Sequence, residues 1–393
     1  MSDARPMMPF ASASSPTAPT AVGPSEMASL YLDAVRALAA IVVVLSHVRY
    51  YLLDSDPRGI SWLPGTGGHE MVVVFFVLSG FVIAWSTDRK RGDWRTYASD
   101  RLSRLGSVAL PALAVTALLD WAGMLRAPEV YAHEVVRDHY WARLGLAVGF
   151  LQQNWAFCTK PGSNTPFWSL AYEFWYYVAF AVICYVRGWW RAVGLAVWLA
   201  IIGWKIPLLL PVWLLGVAAY FAVKRVRLSP GIGAVLAGIS GGLFVAIILE
   251  WVHLPFLVGA TEWAAVPPLY FSGNFATDYF YGLLIAVHFF GMAFALQTVS
   301  AEWGRGWAGR LCRYLANRSF SLYALNVPLI LFAAAIFALD RENPWQVAGA
   351  TVAVFAVAFG IGGPMEDSRF AWRRWIDRFL RVERLALARK SSR

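Results

Sequence analysis

Three ionisable side chains stand in the first long apolar run of this 393-residue chain, YLDAVRALAAIVVVLSHV: Asp33, Arg36 and His47. An ionisable group inside a bilayer costs about 2.5–3.5 kcal/mol on insertion scales, so each one needs a reason to be there. Arg36 and His47 are eleven positions apart. On a helix that spacing puts them on one face, within about 20° of each other and about 16 Å apart along the axis. One face thus presents a fixed cation near one leaflet and a titratable base near the other, and a positioned base of this kind can take the proton of an attacking hydroxyl. The plainer alternative is that Asp33 pairs with Arg36 and His47 only caps the helix at the interface.

Other runs add candidates. In TPFWSLAYEFWYYVAF, Glu173 lies about one and a half turns inside the span among Trp168, Phe174, Trp175 and Tyr176, at a depth close to that of His47. The two are therefore expected to meet, or else the carboxyl serves helix packing. In HEMVVVFFVLSGFVIAW, Ser79 and Gly80 fall mid-membrane, where a small pair usually marks close helix packing. RTYASDRLSRLGSVALP carries Arg95, Arg101 and Arg104, close behind Arg89, Lys90 and Arg91. Such a cluster sets topology and binds headgroups, or grips a phosphate-bearing donor through guanidinium forks. His288 reads as bundle glue. No phosphate-binding glycine loop, GxSxG elbow or metal constellation is found. His133-Glu134 fails as a zinc motif because Arg137 stands where the second histidine belongs.

The elements that must position these groups are membrane spans. The chain is 59% hydrophobic and only 15% charged, against about 25% charged in a soluble domain. Its apolar runs are long enough to cross about 30 Å of hydrocarbon. Spans are expected near 30–48, 70–86, 106–124, 167–186, 189–204, 207–223, 232–252, 278–299, 319–338 and 346–363. The stretch 144–155 is too short and too polar at its end, and suits an interfacial or re-entrant piece. With ten spans and both termini cytoplasmic, 25 of the 34 Lys and Arg fall in cytoplasmic segments and eight outside, a strong positive-inside signal. The fold class is therefore an all-α, polytopic transmembrane helix bundle. Residues 1–28, rich in Pro, Ala, Ser and Thr, read as a disordered cytoplasmic arm; 29–364 form the membrane domain. The tail 365–393 reads as a basic amphipathic segment, its apolar side chains and arginines lying on an anionic leaflet. The net charge of +10 is explained by this topology, so no nucleic-acid partner is expected. Cys158, Cys184 and Cys312 fall at different depths and are expected to be free thiols.

Asp33–Arg36 followed by His47, FFVLSGF at 75–81, the RLSRL stretch up to Pro111, and FWSLAYEFWYY at 167–177 occur in the order that resembles the acyltransferase-3 family of integral-membrane acyltransferases. The likeness runs from about residue 30 to 363. It implies a cytoplasmic acyl donor, acyl-CoA, with no permanently bound cofactor. It implies transfer of an acyl group, acetyl being the expected one, to a hydroxyl of a surface or exported glycan or glycolipid at the inner cell membrane. Carried over by position, it assigns Arg36 and His47 to the essential pair and Glu173 to the acidic site. Arg101, Arg104 and Ser79 fall to donor binding. One departure is Asn326 in FSLYALNVPLI, where the family commonly has histidine. The competing class is a carrier or flippase for a lipid-linked glycan or an acyl group. Against it, no convincing internal repeat is found.

Overall fold

The computed structural model describes residues 25–53, 67–90, 92–252, 269–340 and 343–382. Among them every regular element is helical. In chain order these are α1 (Glu26–Leu52), α2 (Gly68–Lys90), α3 (Trp94–Arg126), α4 (Pro128–Tyr131), α5 (Tyr140–Val148), α6 (Trp168–Tyr185), α7 (Trp189–Ile202) and α8 (Lys205–Arg225). They continue as α9 (Pro230–Ile248), α10 (Phe275–Ala295), α11 (Glu302–Arg305), α12 (Trp307–Ala316), α13 (Ser319–Phe337), α14 (Pro344–Asp367) and α15 (Arg369–Leu380). Most of the expected N-terminal arm, 1–24, and the last part of the tail, 383–393, lie outside the described residues.

Nine helices among the described residues are long and apolar enough to cross a membrane. The tenth expected span is α7, which has only 14 residues and is about 21 Å long. It still returns the chain across the bundle. The Trp198 indole donates to the carbonyl of Trp175 midway along α6, and the Trp155 amide donates to the carbonyl of Ile202 at the far end. The short helix is completed by a buried polar loop rather than by more turns. The 144–155 segment is not a span: α5 stops at Val148, and the chain then turns with Gln152, Gln153 and Asn154 buried. Gln152 donates to the Phe167 carbonyl and Asn154 to that of Ile201. Irregular backbone at this depth is tolerated because it is enclosed by protein that bonds to it.

The basic segments converge on one end of the bundle. Lys224 meets Asp88 at 2.6 Å, Lys90 meets Asp100 at 2.5 Å, and Arg373 reaches the same Asp100 at 2.6 Å. The tail is more than a leaflet helix. One side of α15 docks on α3, through Asp377 with Ser99 and Trp372 against Gly106. Phe370, Trp375 and Phe379 remain exposed. The cysteines of the described residues are free thiols.

Helices α2 and α8 cross on two glycines. A Cβ at Gly80 would stand 2.0 Å from the Trp213 carbonyl oxygen, and one at Gly216 would stand 1.9 Å from that of Val77. Neither helix can give way without moving backbone, so Gly80→Val should destabilise the protein by about 1–3 kcal/mol or more. A thermal melt of the purified protein followed by size-exclusion chromatography reads this directly. An unchanged midpoint would show that the crossing has room for a side chain.

A proline shapes the helix nearest the site. Pro328 in α13 has no N–H for the carbonyl of Ala324, four residues back. Asn164, fully buried in the loop before α6, supplies the missing donor at 2.8 Å and also bonds to Thr116 at 3.0 Å. The loop before α6 therefore holds α13 in register two residues from Asn326.

Candidate functional site

A cavity enclosing about 770 Å³, its mouth included, opens among α1, α2, α3, α6 and α13. Arg36, Arg101, Arg104, Ser79 and Glu173 all line it. Five residues singled out from four stretches of sequence thus share one space. Arg36 takes Asp33 as its partner, Nη1 to Oδ1 at 3.3 Å. Arg101 donates to Ser86 at 3.0 Å and lies over the rings of Tyr97 and Tyr177 at 5.6 and 6.0 Å. The aromatic faces orient the guanidinium without neutralising it.

Ser79 and Gly80 divide the labour of a small pair. Gly80 makes the helix crossing, while Ser79 turns into the cavity. The Trp213 indole donates to Ser79 Oγ at 3.1 Å, and Ser79 donates in turn to Glu173 Oε1 at 2.8 Å. Tyr177, one turn along α6, donates to the same carboxyl oxygen. Two hydroxyls on one oxygen give the carboxylate a fixed place in the wall.

His47 stands apart from this cluster and does not line the cavity. Its Nδ1 lies 2.7 Å from Asn326 Oδ1. The amide of Asn326 is oriented by the backbone, since its Nδ2 donates to the carbonyl of Tyr323 at 2.6 Å and to that of Leu322 at 3.4 Å. Oδ1 can only accept, so the proton of a neutral His47 sits on Nδ1 and the lone pair on Nε2. Among the described residues Nε2 has no hydrogen-bond partner, and the side chain is half-buried. The ring is thereby set as a base with one nitrogen committed and one presented.

The expected meeting of His47 and Glu173 is corrected here. The imidazole is held by Asn326, and Glu173 is taken up by Ser79 and Tyr177. Similar depth on two helices says nothing about which way each side chain points. Tyr323, which lines the cavity, precedes Asn326 by three residues on α13. The cavity wall therefore ends about one helical turn short of the residue that holds His47. Phe75, also in the lining, packs edge-on against Tyr323 with ring centroids 5.6 Å apart.

His288 is a packing residue, as expected: Nδ1 lies 2.8 Å from the Ala237 carbonyl, and a Cβ on Gly241 would stand 2.6 Å from it. Sequence reasoning missed one group. His69, at the start of α2, places Nε2 2.9 and 3.1 Å from the two carboxyl oxygens of Asp278 on α10. The only signal was a histidine beside a glutamate at the head of an apolar run, with its partner 209 residues away.

Comparison with known families matches residues 29–363 to the model Acyl_transf_3, described as an acyltransferase domain. No curated protein and no solved structure matches the chain.

Proposed function

The chain belongs to the acyltransferase-3 family and is a multi-pass membrane acyltransferase, and from that premise we propose that it moves an acyl group, acetyl in the simplest case, from cytoplasmic acyl-CoA to a hydroxyl of a surface or exported glycan. The observation that carries the reading is the single cavity in which Arg36, Arg101, Arg104, Ser79 and Glu173 come together at the arginine-rich end. A thioester donor carries phosphates at one end and a polarised carbonyl at the other. Three guanidinium groups suit the first, and the aromatic part of the wall at Phe75, Phe76 and Tyr323 suits the second.

In this reading the donor's phosphates rest on Arg101 and Arg104, and its acyl end passes Arg36 toward Phe75 and Tyr323. Glu173 balances the cationic wall and holds the Ser79 and Tyr177 hydroxyls in place. The acceptor hydroxyl approaches from the His47 end and gives its proton to Nε2 while its oxygen attacks the thioester carbonyl. The C–S bond then breaks, and the thiolate leaves and takes up the proton that the imidazole received. Direct transfer is favoured over an acyl-enzyme: among the described residues no serine or cysteine hydrogen-bonds His47, and Ser79, which donates to Glu173, is itself tied down by the Trp213 indole. The inner membrane of the cell, with the arginine-rich end in the cytoplasm, is the setting that the charge distribution supports.

The decisive experiment uses the purified full chain in nanodiscs with radiolabelled acetyl-CoA and a panel of glycans. Ester-linked label on a glycan supports the proposal. Passage of unmodified glycan or acyl group across proteoliposomes, with no ester formed, would instead make the protein a carrier. Within this reading Arg101→Ala should raise the donor KM about tenfold, the size expected for one charge-assisted contact. Arg101→Lys should not restore it, because an ammonium cannot reproduce the fork or the stacking on Tyr97 and Tyr177. Steady-state kinetics with the donor varied checks both. An unchanged donor KM would take Arg101 out of the donor site.

A further inference from the structure

The His69–Asp278 pair has no part in the chemistry above, yet it is built with care. Asp278 is 1% exposed and both of its oxygens face His69 Nε2, while the histidine side chain is 30% exposed. A carboxylate only accepts, so Nε2 carries the proton and Nδ1 is the nitrogen left to face outward. Among the described residues Nδ1 makes no hydrogen bond. The ring also lies parallel to Trp168, the first residue of α6, with centroids 6.3 Å apart and planes at 12°. Its orientation is therefore fixed from two sides.

Its position matters as much as its partner. His69 is seven residues before Phe76 and three before Val72, so it continues the α2 face on which those two line the cavity. The neighbouring Gly68 backs directly onto α1, where a Cβ would stand 2.4 Å from Ser46 Oγ. Ser46 is adjacent to His47. The two imidazoles thus stand on either helix of one close approach, His69 beside Gly68 on α2 and His47 beside Ser46 on α1. One is oriented by an amide and the other by a buried carboxylate.

We propose that His69, positioned by Asp278, is an acceptor-binding group: its Nδ1 hydrogen-bonds a second hydroxyl of the polyol whose reacting hydroxyl is activated at His47. This deepens the acyl-transfer reading and rests on it for the identity of the acceptor. A sugar presents neighbouring hydroxyls, and two fixed imidazoles select which one reaches the base. A lone alcohol cannot make the second contact. Asp278 is a positioning residue, since it touches the imidazole and not the acceptor.

The alternative is that the pair only latches α2 to α10, and His69→Gln separates the two. A glutamine amide nitrogen reaches where Nε2 stands and can still donate to Asp278, but it leaves nothing in place of Nδ1. The test uses the full chain in nanodiscs and two readouts. Binding is measured on a glycan array, and transfer is measured from labelled acetyl-CoA to the best-bound glycan and to 1-propanol. For His69→Gln and His69→Ala alike, glycan affinity should fall about tenfold or more and the glycan KM should rise to match. Transfer to 1-propanol should stay within twofold of wild type. The proposal is overturned if His69→Gln binds and acylates glycans like wild type, if both acceptors lose rate equally, or if the wild-type chain binds no glycan. If glycan binding depends on His69 but label reaches no alcohol, the glycan site stands and the acyl-transfer reading falls.

Discussion

Replacing His47 by alanine should lower the rate of acyl transfer by about 10²–10⁴-fold at saturating donor and acceptor, the usual contribution of a positioned general base. The expectation follows from geometry. Nδ1 is spent on Asn326 and Nε2 is free, so the ring has a lone pair to offer and a fixed direction in which to offer it. His47→Asn is the sharper variant, because its amide nitrogen can take the place of Nδ1 and keep the bond to Asn326 while removing the base. Both variants should insert, remain monodisperse and keep the donor KM of wild type, since His47 is outside the donor cavity. The measurement is kcat with labelled acetyl-CoA, alongside donor KM. A His47→Asn protein that turns over within threefold of wild type would remove the imidazole from the chemistry, whatever the alanine variant does.

Much of this architecture was legible because bilayer thickness acts on sequence through one dimension. Run length alone marks the nine helices that are long and apolar enough to cross a membrane, and the charge between the runs is what argues for α7 as a tenth crossing. The polar end of 144–155 marked it as loop for the same reason: Gln152, Gln153 and Asn154 need partners that only folded protein provides. Within a helix, spacing also speaks, which is why Arg36 and His47 could be placed on one face. Between helices it does not. The spacing points Glu173 toward His47, whereas its carboxyl meets Ser79 and Tyr177, since rotation about the helix axis is set by packing such as the Gly80–Gly216 crossing. The partners of Asn326 and Asp278 are hidden in the sequence for a related reason. Each matters through a contact made across more than two hundred residues of chain, and nothing local distinguishes a partnered amide or carboxylate from a solitary one.

Within the proposed mechanism, Asn326 is the residue that fixes the tautomer of the base. Its side chain does two things: Oδ1 accepts from His47 Nδ1, and Nδ2 donates to the carbonyl of Tyr323. A neutral histidine has one donor nitrogen and one acceptor nitrogen, so the residue common at this position in the family could meet the same two needs. Asn326→His should therefore keep kcat within about threefold to fivefold of wild type, whereas Asn326→Leu, similar in size but without either group, should lower it about 10²-fold or more, since losing the partner that orients a histidine costs from about 10-fold to about 10⁴-fold. The leucine variant frees the ring to rotate and to carry its proton on either nitrogen, and only one of those states leaves Nε2 a base. Donor KM should be the same in both variants. A purely structural amide would give a different pattern: Asn326→His would suffer as much as Asn326→Leu or more, because the larger ring must be fitted into a fully buried site, and the loss would appear as a lower melting temperature before it appeared in kcat. Measuring kcat, donor KM and thermal midpoint for the pair separates these cases, and it does so without touching His47 itself. The split between the two substitutions is what a base held by its neighbour requires.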